Sequence, residues 1–418
     1  MKKILQLLNI NYRSKREKFA AFSLLWIVIH TLLIRSTTII KVGFIVKFIG
    51  VVFIFTSIFY LISYIKKDYR YCFSKVNIKV FYLYKSLLIF NIIYIVYGAI
   101  FDDRCQPLTF WGNIEYVPAF LLPLFAIIGL NQKSFIILLK ILSYFSLLAI
   151  PLYFISYYSF LFCGWTLFIP LAFYRYLPKK LRVPLLITAI VYTGITWIEG
   201  ARTPAIRTGL VFLIIGYSYL KRSINKKVMY GIVAYIIILP FFYFYIFLTT
   251  GFSIFAEESS KAAKDLGTNV TVDTRTFLYE EVIDDLKRKK SLWLGKGING
   301  TYYSPYFTLS SDADNGLRIN PEVGFLSYML KGGIIYTSLN IILCLLAIWS
   351  SLFKSKSLFA HIVGLLLLSH FCLLFIENIP QYTLYNASIW ILIGFALNKS
   401  IRALTETKVK DIIRNNFS

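Results

Sequence analysis

Charge is scarce in this sequence, and acid is scarcer than base. Charged residues make up 16% of 418 positions, with 20 Asp and Glu against 45 Lys and Arg. A soluble globular domain carries about 25% charged residues, so the shortage excludes that class. Histidine occurs three times, at His30, His361 and His370. Each is isolated in an apolar stretch, lacks the spacing of metal ligands, and reads as a hydrogen-bonding group inside a helix bundle. The five cysteines, Cys72, Cys105, Cys163, Cys344 and Cys372, are scattered. They offer neither a disulfide framework nor a metal spacing. No period of about 20 to 50 residues recurs, which excludes a solenoid.

What fills the chain is apolar: 58% hydrophobic residues, 18% aromatics and a mean hydropathy of +0.67. That composition predicts an all-α polytopic membrane protein. Apolar runs of about 17 to 25 residues give roughly twelve transmembrane helices. They centre near Trp26, Phe55, Ile92, Leu122, Leu147, Phe168, Ile190, Phe212, Ile237, Ile342, Leu366 and Leu392. The division between the fifth and sixth, around Tyr157 and Tyr158, is decisive, because merging those two would invert every later loop.

Charge placement tests that division, since short cytoplasmic loops are rich in Lys and Arg. With the N-terminus inside, one side collects about 27 basic residues, among them Lys66, Lys67, Arg175, Lys221, Lys354 and Lys399, against about five in the short loops opposite. The expected organisation is a cytoplasmic interfacial N-terminus (1–18), nine spans (19–251), a large external loop (252–322), three spans (323–404) and a cytoplasmic tail (405–418). The net charge of +25 is then an orientation signal and an attraction to anionic headgroups, and calls for no nucleic acid.

The loop of about 70 residues interrupts the apolar series and is where specific chemistry is expected. Within it, Thr274 to Lys290 reads as a helix, with Leu278, Val282 and Leu286 at helical spacing, Asp273 as cap and Lys287 to Lys290 at the negative end of the dipole. Ala256 to Asp265 reads as a shorter surface helix, and Tyr302 to Phe307 as an aromatic stretch at the interface.

Ionisable groups close to the membrane are costly and therefore informative. Thr203 can cap a helix with Pro204 in its first turn, which puts Arg202 at the outer mouth and Arg207 about one turn deeper. Either Arg207 pairs with Glu199, or Arg202 and Arg207 bind an anionic headgroup whose phosphate oxygens match a guanidinium. Arg275, in the first turn of the loop helix, opposes the dipole there, so local stability does not explain it. Asp312, Asp314, Arg318 and Glu322 precede the tenth span. Glu322 either favours a helix N-terminus or serves as a general base. Lys331 snorkels outward or faces a cavity, Lys47 and Lys140 snorkel at span ends, and Glu377, beside Pro380, reads as structural.

Four segments, in order, resemble the O-antigen polymerase and ligase superfamily. Gly200-Ala-Arg-Thr203 is similar to its Ser-Arg-Thr stretch, and Asp273-Thr-Arg-Thr-Phe-Leu-Tyr279 to the Arg-bearing start of its external helix. Leu294-Gly-Lys-Gly-Ile-Asn-Gly300 resembles its Pro-Leu-x-Gly-x-Gly turn. Glu322-Val-Gly-Phe-Leu with Gly333 resembles its His-Asn-x-x-Leu segment. Glu322 stands where the ligases carry His, a departure that favours polymerase over ligase.

The resemblance implies a GT-C-type membrane glycosyltransferase in the bacterial cytoplasmic (inner) membrane, with both termini cytoplasmic. It would polymerise undecaprenyl-pyrophosphate-linked repeat units into O-antigen, capsular or exopolysaccharide at the outer face. The partners implied are a lipid-linked glycan donor and acceptor, the bilayer, and a chain-length regulator protein. Such a reaction needs an acceptor hydroxyl deprotonated as it attacks and stabilisation of a departing pyrophosphate. Glu322 takes the first role, with Asp314 the other candidate. Arg202 and Arg275 take the second, supported by Arg207 and Arg318. No metal or cofactor is called for, since guanidinium groups can supply the positive charge. Two alternatives stay open: a ligase that transfers glycan to lipid A core, and a lipid-linked oligosaccharide flippase, which would show repeat-related halves.

Overall fold

The computed structural model describes residues 14–36, 43–101, 107–220, 226–250, 276–304, 316–377 and 379–417. Its helices are α1 (Lys15–Ser36), α2 (Gly43–Phe73), α3 (Ile78–Phe101), α4 (Pro107–Gly112), α5 (Val117–Leu121), α6 (Ala126–Gly129), α7 (Gln132–Ser146), α8 (Ala149–Tyr153) and α9 (Tyr157–Ala172). There follow α10 (Lys179–Ile198), α11 (Thr203–Leu220), α12 (Lys226–Thr250), α13 (Thr276–Arg288), α14 (Gly324–Phe353), α15 (Leu358–Leu374), α16 (Leu384–Leu397), α17 (Lys399–Arg402) and α18 (Glu406–Phe417). One two-residue ladder, β1 (Tyr302–Tyr303) with β2 (Leu317–Arg318), pairs antiparallel with Tyr302 opposite Arg318.

Among the described residues, five helical stretches are long and apolar enough to cross a membrane: Phe48–Lys66, Ile78–Phe101, Lys179–Ile198, Thr203–Leu220 and Gly324–Phe353. Five shorter apolar helices accompany them: Val117–Gly129, Tyr157–Ala172, Lys227–Phe242, Leu358–Leu374 and Leu384–Leu397. The chain is a helical membrane protein. Its exposed surface agrees, because α3 turns Ile89, Ile92, Ile93, Val96 and Ile100 outward and α10 turns out Val183, Ile187 and Ile190. A contiguous apolar surface of that kind suits lipid and not water. Each of the twelve centres read from the sequence except Leu147 falls in a helical segment; Leu147 lies in the turn between α7 and α8.

Local chemistry sets the boundaries. The Ser156 side chain accepts from the Ser159 amide and starts α9, so the division expected near Tyr157 is made by a cap. Asn131, Ser357 and Thr383 cap α7, α15 and α16 in the same manner. In the fourth apolar run Pro118 opens α5 in its first turn, and Pro123 marks the change to a 3₁₀ turn at Leu122–Phe125 that leads into α6. Helix α16 is buried at every position from Leu384 to Leu397 and forms the centre of the bundle. At the end remote from the large loop, Glu406 accepts from the Tyr176 hydroxyl at 2.6 Å and from the Leu358 amide at 3.0 Å. This anchors α18, whose Val409, Ile413 and Phe417 face inward. Lys140 is buried with its ammonium 5.4 Å from the Phe417 ring, so it packs beneath α18 instead of snorkelling.

Candidate functional site

The loop-bearing end of α14 gathers the charged residues. Helix α13 occupies Thr276–Arg288, within the expected range, and buries Leu278, Val282 and Leu286 as its periodicity requires. Asp285 on its inner face is buried and takes ion pairs from Arg288 at 3.0 Å and from Lys296. The Lys296 ammonium also donates to the Thr301 carbonyl at 2.9 Å, which ties the glycine-rich turn to α13. Tyr302 was expected at the interface, but it is fully buried under this helix and pairs with Arg318 across the ladder. Burial pushes its phenol well above the ordinary range; Arg318 beside it pulls down, and the Glu281 and Glu322 carboxylates push up again.

The turn reaches into a break in α14. Gly333 has φ 64° and ψ −164°, a conformation open essentially only to glycine, and it separates residues 324–332 from 334–353. The break frees backbone groups on both sides, and the turn satisfies them. Lys296 and Gly297 amides donate to the Leu330 and Lys331 carbonyls at 2.7 and 3.0 Å, while Ile334 and Ile335 amides donate to Leu292 and Trp293 at 2.9 and 3.3 Å. Backbone approaches backbone so closely that a Cβ on Gly295 would stand 2.6 Å from the Gly332 and Gly333 nitrogens. Lys331 next to the break is buried. Its ammonium donates to the Glu115 carbonyl and lies 5.4 Å from the Tyr116 ring, while the Glu115 carboxylate accepts from Gln381 at 2.6 Å. Lys331 therefore faces inward, the second of the two options its sequence allowed.

The residues singled out by sequence divide into three groups. Arg275 and Asp314 lie outside the described residues, as do Asp273 and the Ala256 to Asp265 segment. Asp312-Ala313-Asp314, which has the acid-x-acid spacing of many cation sites, also lies there, so the metal-free reading rests on the guanidinium groups alone. Arg202 is exposed at the start of α11, and its carbonyl accepts from the Ala205 and Ile206 amides, making Arg202 and not Thr203 the capping position.

Arg207 and Arg318 are both engaged by carboxylates. Arg207 is only 3% exposed and pairs with Glu377 at 3.8 Å, whereas Glu199, the partner considered from sequence, accepts from the Tyr153 hydroxyl at 3.1 Å. The Arg207 guanidinium lies 4.9 Å from the Trp165 ring and 5.1 Å from the Tyr385 ring. The Tyr385 hydroxyl sits 3.4 Å from His370 Nδ1. Arg318 Nη2 donates to Glu322 Oε1 at 2.7 Å. Glu322 is not a helix-terminal residue of α14: it precedes the first turn with φ 61°, a left-handed conformation that is strained for Glu, and its side chain is 50% exposed.

One backbone hydrogen bond joins these pairs. The Gly324 amide donates to the Glu377 carbonyl at 2.6 Å, so Arg207 with Glu377 and Arg318 with Glu322 occupy the same end of α14. The Tyr279 hydroxyl adds a bond from α13 to the Phe375 carbonyl at 2.7 Å. The sequence reads Glu377 as structural; its pairing with Arg207 was not foreseen, although an acid just after the C-terminal end of α15 opposes the dipole there and signals a distant cation. No known protein family, curated protein or solved structure matches this chain.

Proposed function

We propose that this protein is a membrane glycosyltransferase that polymerises undecaprenyl-pyrophosphate-linked oligosaccharide repeats at the outer face of a bacterial cytoplasmic membrane. In this reading twelve helical segments cross the bilayer, both termini are cytoplasmic and residues 252–322 are external. The observation that carries it is convergence. The turn of 292–297 in the Gly333 break and Glu322 with Arg318 bring together two of the segments similar to the polymerase and ligase superfamily, and Arg207, four residues past the Gly200 to Thr203 stretch and about 130 residues from the break, reaches the same helix through Glu377.

The depth of that end suits a lipid pyrophosphate. From Ile334 to Phe353 the helix runs about 30 Å, the thickness of a hydrocarbon core. The Gly333 break then falls at headgroup level, where the exposed Trp293 and Leu294 of the inserted turn can anchor. Arg202, exposed at the same end of the fold, meets the departing pyrophosphate with Arg275 from the loop. The proton of the attacking hydroxyl goes to a carboxylate, for which the sequence offers Glu322 and Asp314.

The test is the glycan profile of cells that carry the R202A variant in place of the wild type. Loss of the polymer ladder with accumulation of single lipid-linked repeats is the expected result. A normal ladder refutes the assignment. Polymer that forms but is no longer joined to lipid A core would make the protein a ligase, and repeats trapped on the cytoplasmic side would make it a flippase.

A further inference from the structure

From the geometry around Arg207 we infer that Glu377 is the group that takes the proton from the acceptor hydroxyl, with Arg207 as the residue that positions it. This rests on the polymerase reading and selects among the carboxylates at the site. Glu322 has one oxygen committed to Arg318 by a charge-assisted hydrogen bond of 2.7 Å, and half of its side chain faces water. Its strained backbone and its pairing hold Arg318 in place. Glu377 differs on both counts. Its side chain is 21% exposed; Oε2 is buried 3.8 Å from Arg207, which gives attraction without a hydrogen bond, and Oε1 accepts a hydrogen bond from no described residue. Oε1 therefore keeps its accepting capacity for a substrate.

The cation behind it is fixed. Arg207 lies over both the Trp165 and the Tyr385 ring, at 4.9 and 5.1 Å, cation–π contacts that favour guanidinium over the Lys ammonium. Glu377 is fixed as well, because its amide donates to the Leu373 carbonyl at 2.8 Å while its carbonyl accepts from Gly324. The carboxylate therefore stands at a constant place beside the outer end of α14. The acceptor hydroxyl gives its proton to Glu377 as its oxygen bonds to the anomeric carbon of the donor. The bond from that carbon to the pyrophosphate oxygen breaks, and its electron pair leaves with the lipid pyrophosphate. Protonated Glu377 then returns the proton to water.

Azide separates loss of a base from loss of the fold, because it attacks an anomeric carbon without needing deprotonation. The full chain in nanodiscs is supplied with lipid-linked repeat extracted from cells lacking the gene, with and without sodium azide. For E377A and E377Q the expected result is at least a 100-fold loss of polymer growth, while azide releases lipid pyrophosphate and glycosyl azide at a rate within about tenfold of wild type with azide. For R207K the same split is expected with a smaller loss of growth. Polymer growth by E377Q at the wild-type rate overturns the inference. So does failure of E377Q in both reactions, which would make the pair structural. If the wild type itself does not extend the repeat, the polymerase reading fails, and that result is distinct from either outcome for Glu377.

Discussion

Replacing Gly333 by Ala should destabilise the protein through both backbone strain and a backbone clash. At φ 64° and ψ −164° an L residue is strained by about 1–3 kcal/mol. The new methyl group would also stand 2.6 Å from the Gly295 nitrogen and against the Trp293 carbonyl, an overpacking worth about 1–3 kcal/mol. Together these give about 2–6 kcal/mol, a large part of the roughly 5–15 kcal/mol of a typical fold. The methyl can be relieved only by expelling the turn, which would strip hydrogen-bond partners from Leu330, Lys331, Ile334 and Ile335. Unfolding in detergent followed by tryptophan fluorescence measures the loss, and hydrogen exchange at the Lys296, Gly297, Ile334 and Ile335 amides locates it. Gly209→Ala in α11 is the control. A Cβ there meets nothing within 4 Å, so helix propensity alone should make it neutral or stabilising by about 0.5–1 kcal/mol. If G333A unfolds with the wild type and keeps those amides protected, the account of the break is wrong.

Three further outcomes follow from other parts of the structure. K296M should cost about 1.5–3 kcal/mol by removing one partner of the buried Asp285 carboxylate, and D285N with K296M should recover part of it; additive losses in a double-mutant cycle would show that the pair is not coupled. A cysteine at Lys289, exposed just beyond α13, should react with a membrane-impermeant maleimide in intact spheroplasts, whereas one at Lys410 should react only after permeabilisation; the reverse pattern would invert the topology. E406A should release α18 to proteolysis, because Tyr176 and the Leu358 amide both depend on that carboxylate, and should leave polymer growth unchanged. A protected α18 would show that its apolar face suffices.

The parts of this fold governed by local periodicity were legible in the sequence. Leu278, Val282 and Leu286 mark the buried face of α13, and the apolar runs mark the bundle helices, because period and length are properties of adjacent residues. The parts governed by partners distant in sequence were not. Arg207 could be recognised as a cation in an awkward place, but Glu199, eight positions away, looked the natural partner, and Glu377, 170 positions away, is the one that meets it. Tyr302 looked interfacial because aromatic residues often are, and nothing in its neighbourhood shows that Arg318 will lie across from it. The glycines at 295 and 333 stood out only as members of two motif stretches, and that each leaves room for the other is a fact of three dimensions.

That mutual fit also constrains how the protein is made. Residues 292–297 leave the ribosome before residues 330–335, yet α14 cannot close its own hydrogen-bond ladder until they arrive beside it. In the proposed topology the turn must first be exported, so export of the loop and insertion of the helix after it become a single event in biogenesis. A chain whose loop is delayed would present open carbonyls and amides at the bilayer surface, a signal that a membrane quality-control protease could read.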